Sequence, residues 1–203
     1  MLGASWKLAL PLLSLTRIGI YGGTFDPIHH GHLILARDAV ESLKLQQVIF
    51  MPAAVSPHKL GVLTAPGDAR LAMIRAAIAD EPRFTVDDLE LERTPPSFTI
   101  DTIETLVARQ PDAKLYLLVG EDHVAKLETW HRFEKLREMV EFVVLERSGF
   151  PHKHSFQAIP RQIDISATDI RNRVATGASI RYLVPVAVAE IIRARALYRE
   201  SGK

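Results

Sequence analysis

One stretch limits the possible folds more than any other: Gly22-Gly23-Thr24-Phe25-Asp26-Pro27-Ile28-His29-His30-Gly31-His32. Before it, Ile18-Gly19-Ile20-Tyr21 is a short apolar run of the kind that forms a buried strand; after it, Leu33, Ile34, Ala36, Arg37, Val40 and Leu43 fall at helical spacing. The stretch is therefore a strand-to-helix turn. Gly22 and Gly23 lack a Cβ, so the main chain there can take unusual dihedrals and a ligand can approach it closely. Pro27 fixes its own φ and biases Asp26 toward extended backbone. A helix is expected to begin near Gly31, where free N–H groups make an anion site, and His29 and His32 can face the same anion across that start. A loop built this way binds phosphate, with nucleotide phosphate the favoured reading.

Two other readings stand beside it. The turn could be purely structural, although three histidines beside two glycines is unusual turn composition. His29, His30 and His32 could also hold zinc, since imidazole is a good zinc ligand, but the His-Glu-x-x-His helical spacing is missing. The dinucleotide fingerprint Gly-x-Gly-x-x-Gly and the Walker pattern Gly-x-x-x-x-Gly-Lys-Ser/Thr are both absent, which argues against a nicotinamide-dependent dehydrogenase and a P-loop kinase.

Gly22-Gly23-x-Phe25-x-Pro27-x-His29-x-Gly31-His32 resembles the signature of the nucleotidyltransferase superfamily that shares a His-x-Gly-His motif with class I aminoacyl-tRNA synthetases. That resemblance implies a Rossmann-like, doubly wound parallel sheet. The chain's length and its lack of a Lys-Met-Ser-Lys-Ser loop argue against a synthetase.

At 203 residues the chain suits one α/β domain, read here as 17–203 behind an N-terminal extension, 1–16. The extension carries the apolar run Leu8-Ala9-Leu10-Pro11-Leu12-Leu13, too short for a membrane span and without a clean small-residue cleavage site. A net charge of +1 gives no sign of a nucleic-acid or membrane surface. The absence of cysteine excludes disulfides, cysteine nucleophiles and cysteine-based metal sites, and fits a cytoplasmic protein. A homo-oligomer stays possible.

Further along, Gln47-Val48-Ile49-Phe50-Met51 reads as a second strand, followed by a loop from Ala53 to Pro66 that places two basic donors, His58 and Lys59, where they can meet a phosphate. Gly67-Asp68 opens a helix with Leu71, Ile74, Arg75 and Ile78 periodic. Phe84-Thr85-Val86-Asp87 reads as a third strand, continued in shifted register by Asp88-Leu89-Glu90-Leu91-Glu92. Ser97 is expected to cap a helix whose buried face is Ile100, Ile103, Leu106 and Val107. Lys114–Val119 and Glu141–Leu145 read as strands four and five; Leu183-Val184-Pro185 opens a last helix with Val188, Ile191 and Ile192 inward. His152, Lys153 and His154 read as a solvated basic turn.

Three later segments carry both a bland and a functional reading. Ser97-Phe98-Thr99-Ile100-Asp101-Thr102 is a helix start whose amides could grip a carboxylate. Gly120-Glu121-Asp122 ends a strand, so Asp122 could take hydrogen bonds from a ribose or cap the next short helix. Ile165-Ser166-Ala167-Thr168-Asp169-Ile170-Arg171 satisfies a capping box, yet Arg171 stands in an early turn where the helix dipole favours anions, which makes sense if an anion sits between them.

These segments are similar to those of bacterial nicotinate-nucleotide adenylyltransferases, with Phe98 for tyrosine, Phe133 for a second tryptophan, Ser148 for proline and Ala167 for serine. The resemblance implies adenylyl transfer from ATP, accompanied by Mg2+, to nicotinate mononucleotide. His29, His32 and Arg171 would then be catalytic. ATP would be held by Gly22, Gly23, Thr24, Phe25, His29, His32, Gly120, Asp122, Ser166, Thr168 and Arg171. The acceptor would meet Asp26, His58, Lys59, Ser97, Phe98, Thr99, Trp130 and Arg147, with Trp130 stacked on the pyridine ring. No protein metal site is expected. Nicotinamide mononucleotide or phosphopantetheine as acceptor, or a non-catalytic nucleotide sensor, stay as alternatives. An anionic phosphate nucleophile needs no protein base, which suits a chain with no nucleophile elbow.

Overall fold

A computed structural model describes residues 15–54, 65–94, 97–148 and 154–199. The sheet is built from β1 (Thr16–Gly23), β2 (Gln47–Pro52), β3 (Phe84–Val86), β4 (Ala113–Gly120), β5 (Glu141–Glu146) and β6 (Gln157–Pro160). All pairings are parallel, in the order β3-β2-β1-β4-β5-β6. The chain winds outward from β1 to β3, then returns to the other side of β1 for β4. This reversal makes the carboxyl ends of β1 and β4 a topological switch point, where open α/β sheets leave a crevice.

Each central strand is apolar on both faces, as parallel strands covered on both sides must be. Ile18 and Ile20 of β1, Leu115, Leu117 and Val119 of β4, and Phe142 and Val144 of β5 join one core. That core is closed by Ile100, Ile103 and Leu106 of α4 (Thr99–Arg109) and by Phe133 and Leu136 of α5 (Phe133–Met139). The alternate residues, Tyr21, Phe50, Leu118 and Val143 among them, face the other core. There they meet α1 (His30–Leu43), α2 (Gly67–Ile78), α6 (Ala167–Ala175) and α7 (Val186–Ala194). The expected doubly wound parallel sheet is therefore the fold observed.

The structure corrects several expectations. Asp88–Glu92 does not continue β3: Leu89–Glu92 is a short helix, α3. The Asp87 carboxylate accepts from Leu89 N at 2.9 Å and the Asp88 carbonyl accepts from Leu91 and Glu92, so a side-chain turn overrides the alternating Leu-Glu pattern. The helix over Gly67–Ile78 forms, but its buried side is Ala69, Arg70, Met73, Ile74 and Ile78, with Arg75 exposed. Ser97 is not the cap of α4; Phe98 holds that position, and the Ser97 hydroxyl is buried without a hydrogen-bond partner among the described residues. His154 is not solvated: its side chain is 5% exposed and faces the buried Glu146 at 3.3 Å. Residues 1–14 of the proposed extension lie outside the described residues, and Thr16 already begins β1. Among the described residues no helix is long and apolar enough to cross a membrane.

Candidate active site

A cavity of about 610 Å³ opens over the switch point. Its lining contains the ends of β1 and β4, the start of α1, the start of α4 and the start of α6. Gly22, Gly23, Thr24, Phe25, Asp26, His29, His32, Ser97, Phe98, Thr99, Gly120, Asp122, Trp130, Arg147, Ser166, Thr168 and Arg171 all line it. Apart from His58 and Lys59, which lie outside the described residues, every residue expected to serve catalysis, ATP or the acceptor comes to this one cavity. A larger concavity of about 1090 Å³ beside α6 and α7 shares none of them.

The turn after β1 has a different construction from the one expected. Neither Gly22 nor Gly23 has positive φ; Phe25 does, at 47°. The glycines serve by their missing Cβ. A Cβ on Gly23 would meet the Phe25 ring at 3.0 Å, while one on Gly22 would meet nothing within 4 Å. Phe25 turns inward and packs edge-on against Tyr21 and His32, at 5.4 and 5.0 Å between centroids.

His29 caps α1, and its ring stacks on that of His32 at 3.7 Å. The His29 main-chain N–H donates to His32 Nδ1 at 3.2 Å, so in the neutral ring the proton sits on Nε2. His29 is nearly fully buried; burial first, then the Arg147 charge, brings its pKa down to about 3. It is neutral at physiological pH. The anion site at α1 is narrower than the motif implies, because His30 N donates to Leu183 O and His32 N to His29 O. Gly31 N–H is left open among the described residues. His30 lines the other concavity, so the three histidines do not converge, and no group of three metal-ligating side chains forms among the described residues.

Two further helix starts offer open amides. At α6 the Ser166 hydroxyl accepts from Asp169 N at 3.1 Å and its carbonyl from Ile170 N, leaving the Ala167 and Thr168 amides open among the described residues, beside Arg171. Asp169 thus completes the expected Ser166 cap. At α4 the Phe98 carbonyl takes Asp101 N and Thr102 N, which leaves Thr99 and Ile100. Asp122 stands at the mouth, more than half exposed, and is not a cap; Gly120 holds that place ahead of a 3-10 helix over Glu121–Thr129.

Asp26 lines the cavity but its carboxylate is committed inside the protein. Oδ1 accepts from Tyr198 OH at 2.6 Å and from Ala65 N at 3.1 Å. Arg171 donates to the Asp26 carbonyl at 2.7 Å and to Thr168 Oγ1 at 3.2 Å. Arg70, invisible as a site residue in the sequence, is 2% exposed and clamps four carbonyls: Ala65 at 3.1 Å, Thr24 at 2.8 Å, Ala53 at 2.8 Å and Ala54 at 3.3 Å. Sequence reasoning also missed Tyr21, Glu90 and His131 in the lining. Glu90 accepts from Thr102 Oγ1 at 3.0 Å, and burial pushes its carboxyl pKa upward. His131 lies against the Phe98 ring at 4.4 Å. Tyr21 could have been found, as the residue directly before the double glycine.

Open helix starts, a stacked histidine pair and two arginines around a switch-point cavity define an α/β protein built to hold phosphate groups in register. In keeping with this, residues 20–173 match the cytidylyltransferase-like family. The chain is 43% identical over 185 residues to a Geobacillus thermodenitrificans protein named "Probable nicotinate-nucleotide adenylyltransferase", covering 90% of this chain and 86% of that one. A protein of the same name from Exiguobacterium sibiricum is 43% identical over 187 residues, covering 90% and 98%. The fold also superposes on Plasmodium falciparum nicotinic acid mononucleotide adenylyltransferase complexed with NaAD, with TM-score 0.74, 21% identity and coverage of 90% and 97%. The chain belongs to the nicotinate-nucleotide adenylyltransferases of the cytidylyltransferase-like family.

Proposed function

We propose that the protein transfers the adenylyl group of ATP to nicotinate mononucleotide, giving nicotinate adenine dinucleotide and pyrophosphate. One observation carries this: three helix N-termini, of α1, α4 and α6, meet in a single cavity with His29 and His32 between them. The acceptor's 5′-phosphate oxygen attacks the α-phosphorus, a new P–O bond forms, and the bond to the bridging oxygen of pyrophosphate breaks. That nucleophile is already anionic, so the protein has to align two nucleotides and meet developing charge.

His32 Nε2 and the Gly31 amide serve the α-phosphate. Ser166, Thr168, Arg171 and the open amides of α6 receive the leaving phosphates. Gly22 lets the nucleotide lie against β1, and Asp122 at the mouth suits a ribose. The Thr99 and Ile100 amides, beside Ser97 and Phe98, suit the nicotinate carboxylate, with Trp130 and Arg147 completing the acceptor side. Asp26 acts through Arg171 instead of touching substrate. His58 and Lys59 keep the phosphate role that the resemblance implies. Magnesium enters as part of the MgATP substrate, bound through phosphates and water.

Pyrophosphate release is measured with MgATP and either nicotinate or nicotinamide mononucleotide in parallel. Preference for the acid supports the helix-start reading of a carboxylate. The Glu90 carboxyl in the same wall is the one feature favouring an amide acceptor, and equal or better use of the amide would assign the site that way. His32→Ala should lower kcat by about 100-fold or more, the usual cost of one preorganised donor, with the folded state retained. Near-normal turnover would refute the role of His32.

A further inference from the structure

The segment after α7 reaches back to the phosphate loop. After α7, Ala196 and Tyr198 both take left-handed backbone, with φ of 50° and 60°. Leu197 N donates to Ile192 O at 3.0 Å, so the chain curls over the end of its own helix. Two non-glycine residues in that region are an unfavourable way to end a helix, and they persist only where the surroundings hold them. What holds them is the core on one side and Asp26 on the other: Leu197 and Tyr198 pack on the core, and the Tyr198 hydroxyl donates to Asp26 Oδ1 at 2.6 Å.

The geometry around Asp26 shows what that bond achieves. Asp26 is 3% exposed, and its Oδ1 is doubly occupied, by Tyr198 OH and by Ala65 N. Its Oδ2 lies 4.0 Å from Arg171 Nη1, beyond hydrogen-bond distance. Arg171 instead donates to the Asp26 main-chain carbonyl, which steers the guanidinium and leaves its ion pair with the carboxylate long. Arg70 also faces this carboxylate, but four of its five N–H donors are engaged by loop carbonyls that hold the guanidinium in place. Remove the phenol and Asp26 keeps only the weaker Ala65 donor. Arg171, with Nη1 already 4.0 Å from Oδ2, can then close on the carboxylate, and a tightened ion pair would take its charge away from the cavity.

We propose that Tyr198 is a positioning residue for nucleotide phosphate: by holding the Asp26 carboxylate, it keeps the Arg171 guanidinium open to the triphosphate. The role rests on the adenylyl-transfer reading of the cavity. Burial, then the bond to Asp26, pushes the phenol pKa well up, so Tyr198 stays a donor across the working pH range.

The test is Tyr198→Phe, which keeps the ring and its packing. KM for MgATP should rise about 5- to 10-fold, as expected when one charge-assisted phosphate contact is weakened, with any fall in kcat following the loss of Arg171 at the leaving phosphates, while KM for nicotinate mononucleotide stays within about twofold. Adding Asp26→Asn removes the competitor for Arg171, so the double variant should recover part of the lost ATP affinity. A merely structural role predicts the opposite, with both KM values rising and the two substitutions adding. An unchanged KM for ATP, or such additive loss, would overturn the proposal. Equilibrium titration of MgATP without acceptor reads the same contrast independently of turnover. A wild-type protein that releases no pyrophosphate would therefore count against the adenylyl-transfer reading, and the titration would still judge Tyr198.

Discussion

Arg70 offers the sharpest test of how the site is held together. Its guanidinium makes four hydrogen bonds to carbonyls of three separate segments: Thr24 after β1, Ala53 and Ala54 after β2, and Ala65 before α2. Arg70→Met removes all four while filling much of the same volume. Hydrogen bonds to a charged donor contribute about 1.5 to 3 kcal/mol each, so the gross loss is roughly 6 kcal/mol or more. Against that, burying a guanidinium costs several kcal/mol, which the substitution recovers. The net expectation is about 3 kcal/mol of lost stability, or a fall in Tm of about 6 to 12 °C for a chain of this size. Arg70→Lys keeps the charge but loses the planar fork, and should fall between wild type and Arg70→Met. Urea unfolding of the three proteins measures this directly. A loss below about 1 kcal/mol for Arg70→Met, or a lysine variant equal to wild type, would show that the loops hold their places without the clamp.

Two other outcomes follow from the site. Because the folded-state pKa of His29 lies at about 3 against 6.5 when unfolded, the unfolded chain binds the extra proton between those values. The stability from keeping His29 neutral is therefore present above pH 6.5 and lost as pH falls toward 3, at up to about 1.4 kcal/mol per pH unit. Urea unfolding at pH 7 and pH 5 should show a flatter pH dependence for His29→Gln than for wild type; equal slopes would refute the burial argument. Trp130→Ala should raise KM for nicotinate mononucleotide by about 5- to 100-fold, the range for loss of one aromatic stack, and leave KM for ATP near its original value. Trp130→Phe should recover most of the difference, and equal shifts in both KM values would place Trp130 outside the acceptor subsite.

The central strands were legible because β1, β2, β4 and β5 are covered on both faces and leave uninterrupted apolar runs. β6 was not, since only Ile159 of its four residues is buried and the strand ends in Pro160. Asp88–Glu92 alternates as a strand should, and the deciding event was a side-chain bond from Asp87 that no periodicity records. Most of the cavity was readable because its residues sit in short segments at strand ends and helix starts. The supports were not readable. Arg70 lies in a helix with no pattern marking it as internal, and Tyr198 follows the last periodic residue of α7, so its partner 172 positions away could only come from the fold. The same holds for Phe25, whose inward turn depends on Gly23 having no side chain.

Seen together, the buried groups explain how a cavity for highly charged ligands avoids carrying much fixed charge of its own. His29 is neutral because burial and the Arg147 field both disfavour its proton. The open amides at α1, α4 and α6 contribute partial positive charge without a counter-ion. Arg171 and Arg147 supply full charge, and the Arg171–Asp26 ion pair stays long, at 4.0 Å, while Tyr198 and Ala65 donate to the other carboxylate oxygen. A phosphate entering this cavity meets Arg147 directly, while burial, the largest of the influences on His29, keeps that ring uncharged. His29 supports the phosphate site by stacking on His32, without adding a charge of its own. The site thus draws its positive character from oriented amides and two arginines, which limits the desolvation cost of the empty state and concentrates the electrostatic interaction on the phosphates.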